Sequence, residues 1–175
     1  MDSYPVDVRE LRHDLGATLH IDSDVQLPTM EFGQSSFEPA APAHANVTVS
    51  NTGAGIVAYG TIDVDFRTEC VRCLEPFVLH VTGEVEGFYT TPEHAEALAE
   101  EQEWAPITND TIDLYPALDA AARIELPLAP VHAEDCGGIC PVCGADRNVD
   151  QCTCVVDEPV PGPFDALKTL LPPSE

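Results

Sequence analysis

The chain has 175 residues, with 31 acidic side chains against 7 basic ones and a formal net charge of −24. That length suffices for one domain with a core and an appendage, and no apolar run approaches the ~20 residues of a membrane span. Nonspecific nucleic-acid affinity comes mostly from Lys and Arg displacing phosphate counterions, so this composition argues against direct RNA binding and for a basic protein as electrostatic partner. The alternative is that the acidity serves only solubility or a salty cytoplasm.

In residues 1–25, Val6, Val8, Leu11 and Leu15 offer a short apolar face that fits a strand running into a helical turn. The start, Met1-Asp2-Ser3-Tyr4-Pro5, has neither the basic region nor the apolar stretch of a signal peptide, which predicts a cytoplasmic chain with reduced thiols. Residues 34–45 are dominated by Ser, Pro and Ala and read as a loop. Val47 and Val49 then alternate with polar residues, and Asn51-Thr52-Gly53-Ala54-Gly55 supplies a turn. Ile62, Val64 and Phe66 alternate with Thr61, Asp63, Asp65 and Arg67, the pattern of a half-buried antiparallel strand. In residues 77–89, Leu79, Val81 and Val85 share one parity while His80, Thr82, Glu84 and Glu86 share the other. Cys70-Val71-Arg72-Cys73 therefore sits at a hairpin tip, closed by Pro76.

Residues 92–103 have helix-forming composition with a proline in the first turn, and their glutamates read as a solvated face. Trp104 is expected to cap apolar surface locally. Ile112-Asp113-Leu114 reads as a short strand or helix lead-in, and residues 115–126 as a helix with Leu118, Ala121, Ala122 and Ile124 available for burial, ended by Pro127 and Pro130. Further on, metal ligands and turn residues replace apolar periodicity. The tail carries Pro159, Pro161 and Pro163, then Phe164 to Leu171 with apolar residues at helical spacing, fitting a short helix that packs back or docks elsewhere. The predicted fold is α+β: an antiparallel β-sheet with central hairpins, one or two packing helices, and a zinc-stapled C-terminal segment. Its expected division is a core over 1–130, a Cys-rich zinc-binding segment over 131–156 and a Pro-rich tail with a short helix over 157–175.

Seven cysteines and one histidine fall into two groups of four: Cys70, Cys73, His132 and Cys136, then Cys140, Cys143, Cys152 and Cys154. Structural zinc takes four Cys or His ligands, and a CxxC pair can bind one ion from a single tight turn. Cys140-Pro141-Val142-Cys143-Gly144 has the chemistry of a zinc knuckle, with N–H groups placed to donate to the first thiolate and a glycine that accepts a left-handed conformation. Cys152-Thr153-Cys154 can close that site. The first group needs partners about sixty residues away, and His132 with Cys136, four apart, can meet one point from a helical turn or compact loop. The other reading makes His132 a surface histidine and Cys136 a free thiol. Iron–sulfur ligation stays open too, although the spacings match ribbon-like zinc sites and no ferredoxin-type CxxCxxC run is present.

The hairpin tip from Cys70 to Phe77, the stretch Glu125-Leu126-Pro127-Leu128, the run from Asp135 to Gly144 and the closing Pro163-Phe164-Asp165-Ala166-Leu167 together resemble the YceD family, over most of residues 56–171. Members are described as large ribosomal RNA subunit accumulation proteins. The resemblance implies a cytoplasmic, non-enzymatic factor that favours accumulation of large-subunit ribosomal RNA through synthesis, processing or assembly, and it supplies no catalytic residues. His132 departs from the family pattern, in which Cys often stands at that place. Together with the charge, this predicts ribosomal or assembly proteins of basic character as partners. Two readings of other classes compete. A zinc hydrolase needs an open coordination position near Cys70 and Cys73, available only if His132 does not bind. A thiol or zinc-release redox switch needs exposed thiolates there.

Overall fold

The computed structural model describes residues 3–96, 103–150 and 152–154. Its elements in chain order are β1 (Pro5–Asp7), α1 (Arg9–Arg12), β2 (Thr18–Val25), β3 (Met30–Phe32), β4 (Ser35–Pro39), β5 (Ala43–Asn51), β6 (Ile56–Glu69), β7 (Pro76–Thr90), α2 (Pro92–Ala95), β8 (Ala105–Pro106), β9 (Thr111–Asp113) and α3 (Tyr115–Ile124). The α+β architecture with a largely antiparallel sheet is as the alternation predicted.

The central hairpin organises the sheet. β6 and β7 pair antiparallel without interruption from Ile56↔Tyr89 to Glu69↔Pro76. On its other side β6 pairs with β5, from Asn51↔Ile56 to His44↔Asp63, and then with β4 at Glu38↔Arg67 and Pro39↔Phe66. β2 extends the sheet beyond β5, β3 extends it beyond β4, and β8 adds a short parallel pairing to the end of β7. Because side chains alternate across a strand, Ile56, Ala58, Ile62, Val64 and Phe66 all enter the core from β6. Val81, Val85 and Tyr89 enter it from β7, and Ala43, Ala45, Val47 and Val49 from β5. The opposite face of β7 presents His80, Thr82, Glu84 and Glu86 to solvent.

Helix α3 lies on the inner face through Leu118, Ala121 and Ala122. It crosses β7 at Gly83, where a Cβ would stand 2.4 Å from the carbonyl oxygen of Ala121, so only glycine admits the helix this closely. β1 and β9 form a separate two-stranded sheet. Asp113 joins it to α3: its carboxylate accepts from Tyr4 N–H at 2.8 Å, Tyr115 N–H at 3.0 Å and the Ser3 hydroxyl at 2.9 Å. Strand and helix lead-in are thus both realised at residues 111–114.

Several expectations are corrected. Residues 34–45 are not a loop: they contain β4 and the start of β5, because Phe37 is fully buried in an edge-to-face contact with Phe66, ring centroids 6.1 Å apart. One aromatic anchor overrides the Ser and Pro composition. Val6, Val8 and Leu11 are buried as expected, but Leu15 is 74 % exposed beyond the end of α1. Ile124 is 79 % exposed, since the last turn of α3 presents it away from the sheet. The helix at 92–103 is described only as α2; residues 97–102 and the tail helix expected within 157–175 lie outside the described residues. Among the described residues no helix is long and apolar enough to cross a membrane.

Candidate metal centres

The inward parity of β6 continues through Thr68 to Cys70, which is completely buried just past the strand end. The chain then turns: Cys70 N–H donates to Glu75 O at 2.9 Å, and Leu74 N–H donates to Cys70 O at 2.8 Å. The second CxxC repeats this turn atom for atom. Cys140 N–H donates to Ala145 O at 2.8 Å, and Gly144 N–H donates to Cys140 O at 2.9 Å. In both turns the fifth residue is left-handed, Leu74 with φ 63° and Gly144 with φ 76°.

The segment after α3 wraps around the first turn. Val71 N–H donates to Pro130 O at 2.9 Å, and the Arg72 guanidinium donates to Glu134 O at 3.0 Å and Cys136 O at 3.2 Å. Ile139 N–H donates in turn to Arg72 O at 2.9 Å. This places Cys136 Sγ 3.8 Å from Cys70 Sγ and His132 Nδ1 3.3 Å from Cys73 Sγ. Phe77 contacts the His132 ring at a centroid separation of 6.5 Å, and with Val131 it packs against the buried cysteines. His132 is thus brought to the cluster rather than left at the surface.

The ligand atoms of Cys70, Cys73, His132 and Cys136 all lie within 4.8 Å of one another, as do those of Cys140, Cys143, Cys152 and Cys154. The first cluster is mostly buried, whereas in the second only Cys140 is buried and Cys143 is exposed. Between Cys143 and Cys152, Asp146 shapes a turn by accepting from Asn148 N–H at 2.9 Å. That turn aims two side chains at sulfur: Arg147 Nη2 lies 3.9 Å from Cys140 Sγ, and Asn148 Nδ2 lies 3.5 Å from Cys136 Sγ. Asn148 Oδ1 also accepts from Gly137 N–H at 2.7 Å, so one residue of the second loop holds the first cluster.

The thiols show what this crowding does. Burial pushes Cys70 up, but the N–H groups of His132, Cys73 and Arg72 outweigh it and hold its pKa down at about 5. Cys73 is pushed up to about 11 by burial and by Cys70 and Cys136 beside it. The N–H groups of Cys143 and Val142 hold Cys140 down at about 6 against burial, while the neighbouring Cys143 side chain and burial push Cys154 up to about 12. Each cluster therefore has one sulfur prepared as a thiolate and one that resists ionising. A dication at the centre relieves that conflict, because it attracts every thiolate of the cluster and offsets most of their mutual negative charge in the first cluster and half of it in the second. The 3.8 Å sulfur separation also matches the edge of a tetrahedron with bonds of roughly 2.3 Å. The donor sets fit a metal ion.

Arg72, Arg147 and Asn148 were not singled out from sequence. Their signal was present: an arginine between two ligands, and an Asp-x-Asn turn inside the second ligand loop.

The family model described as large ribosomal RNA subunit accumulation protein YceD matches residues 58–171, a span that holds every residue of both clusters. Uncharacterized proteins of Mycobacterium tuberculosis and Mycobacterium bovis are each 29 % identical over 141 residues, covering 79 % of this chain and 68 % of theirs. An uncharacterized protein of Mycobacterium leprae is 32 % identical over 114 residues, 65 % of this chain and 52 % of that protein. No solved structure matches.

Proposed function

The chain belongs to the YceD family of large ribosomal RNA subunit accumulation proteins, and from that premise we propose that it is a non-enzymatic cytoplasmic factor favouring accumulation of large-subunit ribosomal RNA through contacts with a basic ribosomal or assembly protein. The family match across residues 58–171 is the observation that carries this reading. The net charge of −24 favours protein over RNA as the direct partner, since each phosphate would meet repulsion.

In the same reading the two clusters hold structural zinc, one ion through Cys70, Cys73, His132 and Cys136 and one through Cys140, Cys143, Cys152 and Cys154. Zinc supplies a fixed tetrahedral junction there. In the first site the protein residues would fasten the hairpin tip to the segment from Pro130 to Ile139. Four donors per site fill the preferred coordination of structural zinc, which favours a fastener over a hydrolase with an open position.

The test removes the gene from the source cell and compares large- with small-subunit ribosomal RNA by electrophoresis of total RNA. A fall in the ratio, restored by the wild-type gene and not by Cys70→Ser with Cys140→Ser, is expected; an unchanged ratio overturns the reading. Elemental analysis should give two zinc ions per chain, falling to one in His132→Ala. Binding of the purified protein alone to ribosomal RNA at about 150 mM salt would overturn the protein-contact part.

A further inference from the structure

Helix α3 is apolar over more of its circumference than the sheet covers. Leu118, Ala121 and Ala122 face the core, while Ala117, Ala120 and Ile124 recur at helical spacing on the adjoining stripe. Ala120 and Ile124 are exposed and Ala117 is half-buried. That stripe forms one wall of a groove of about 740 Å³. The opposite wall comes from β6 and β7, where Tyr59 is 50 % exposed and Phe88 half-buried. β7 is an edge strand along this stretch, since β8 pairs with it only at Tyr89 and Thr90.

The charge around the groove has one sign. Glu84, Glu86, Glu103 and Glu125 line it, and no Lys, Arg or His does. None of the four makes an ion pair or side-chain hydrogen bond with a described residue. The nearby cation, Arg123, is held by Asp119 at 3.1 Å in a two-pronged pair and does not neutralise them. Carboxylates kept unpaired around aromatic and aliphatic side chains are complementary to a chain that carries both positive charge and an apolar anchor.

We propose that this groove between α3 and the edge of β7 is the docking site for a Lys- or Arg-rich polypeptide segment that places an apolar side chain among Ala117, Ala120, Ile124, Tyr59 and Phe88 while its cations meet the four glutamates. The proposal rests on the reading of the protein as a binder of a basic partner and adds the location and the requirement for an anchor. The groove runs along the edge of β7, between α3 and the solvent-facing side chains of β6 and β7, and none of its lining residues belongs to the two cysteine clusters. Metal occupancy and docking are thus separable by mutation.

The test uses the full-length, zinc-loaded chain and a fluorescent 16-residue peptide of lysine and leucine, with a lysine and serine peptide of equal charge for comparison. Anisotropy at about 150 mM salt should show the leucine peptide binding about tenfold more tightly. Ala120→Trp, which fills the groove without changing net charge, should weaken binding about tenfold. Glu84→Gln with Glu86→Gln should weaken it similarly and flatten the salt dependence. Asp22→Asn with Asp24→Asn, on the distant strand β2, should leave it within about twofold. Circular dichroism and zinc content confirm that each variant is folded. Equal losses in both carboxylate pairs, no effect of Ala120→Trp, or tighter binding of oligouridine RNA than of the leucine peptide overturns the proposal. If groove variants do nothing while gene removal still lowers the RNA ratio, the groove alone falls. If the groove binds as expected and the RNA ratio does not change, the biological reading falls and the docking surface stands.

Discussion

The carbonyl oxygen of Arg72 accepts a hydrogen bond from Ile139 N–H at 2.9 Å, tying the turn that carries Cys70 and Cys73 to the residue just before Cys140. The two cysteine clusters are therefore one mechanical unit. Asn148 works in the opposite direction, reaching from the second loop to Gly137 and to the sulfur of Cys136. Neither cluster can shift without disturbing the other.

Arg72 should matter more than its exposure suggests. Its guanidinium holds two carbonyls of the wrapped segment, and charged hydrogen bonds contribute roughly 1.5–3 kcal/mol. We expect Arg72→Ala to lower stability by about 2 kcal/mol and to speed zinc loss to a chelator, with Arg72→Lys a poor rescue because lysine lacks the planar fork. Equal zinc release from wild type and variant would refute this.

The paired turns make opposite predictions at equivalent positions. Leu74 is left-handed and 60 % exposed, so little packing offsets its strain. Leu74→Gly is expected to stabilise by about 0.5–1 kcal/mol after the entropic cost of glycine. Gly144→Ala should destabilise by about 1 kcal/mol. Chemical denaturation of the zinc-loaded protein measures both, and the same sign for the two changes would contradict the equivalence of the turns.

Metal affinity should rise with pH. Near pH 7 Cys70 and Cys140, at about 5 and 6, are already thiolates in the metal-free chain, whereas Cys73 and Cys154, at about 11 and 12, hold their protons. Binding at each cluster must expel at least one proton, so zinc affinity should increase about tenfold per pH unit per proton expelled. Competition with a chromophoric chelator between pH 6 and 8 reads the slope. A flat profile would mean that Cys73 and Cys154 do not ligate.

Asp113 should contribute an acid-sensitive part of the stability. Burial pushes its carboxyl up, but donation from Tyr4, Tyr115 and Ser3 outweighs this and holds it below the usual carboxylate range. A carboxylate depressed in the folded state stabilises above its unfolded pKa and loses that contribution as pH falls through the folded value. Asp113→Asn should therefore be less stable than wild type at pH 7, with the gap closing towards pH 2. A gap that persists in acid would assign the loss to geometry and not to charge.

The sequence by itself nominated the eight candidate metal ligands and determined the long β6/β7 hairpin and the placement of its CxxC at the tip, because period-two alternation and ligand spacing are local properties of the chain. It could not decide that residues 34–45 contain strand, since Phe37 acquires its burial only from Phe66 across the sheet. Nor could it show that Leu15 and Ile124 stay outside, because a helix face is apolar in sequence whether or not another layer covers it. The pairing of Cys70 and Cys73 with His132 and Cys136 lies between the two cases. Spacing nominated all four, but only the hydrogen bonds from Arg72, Val71 and Ile139 across some sixty residues bring them to one point.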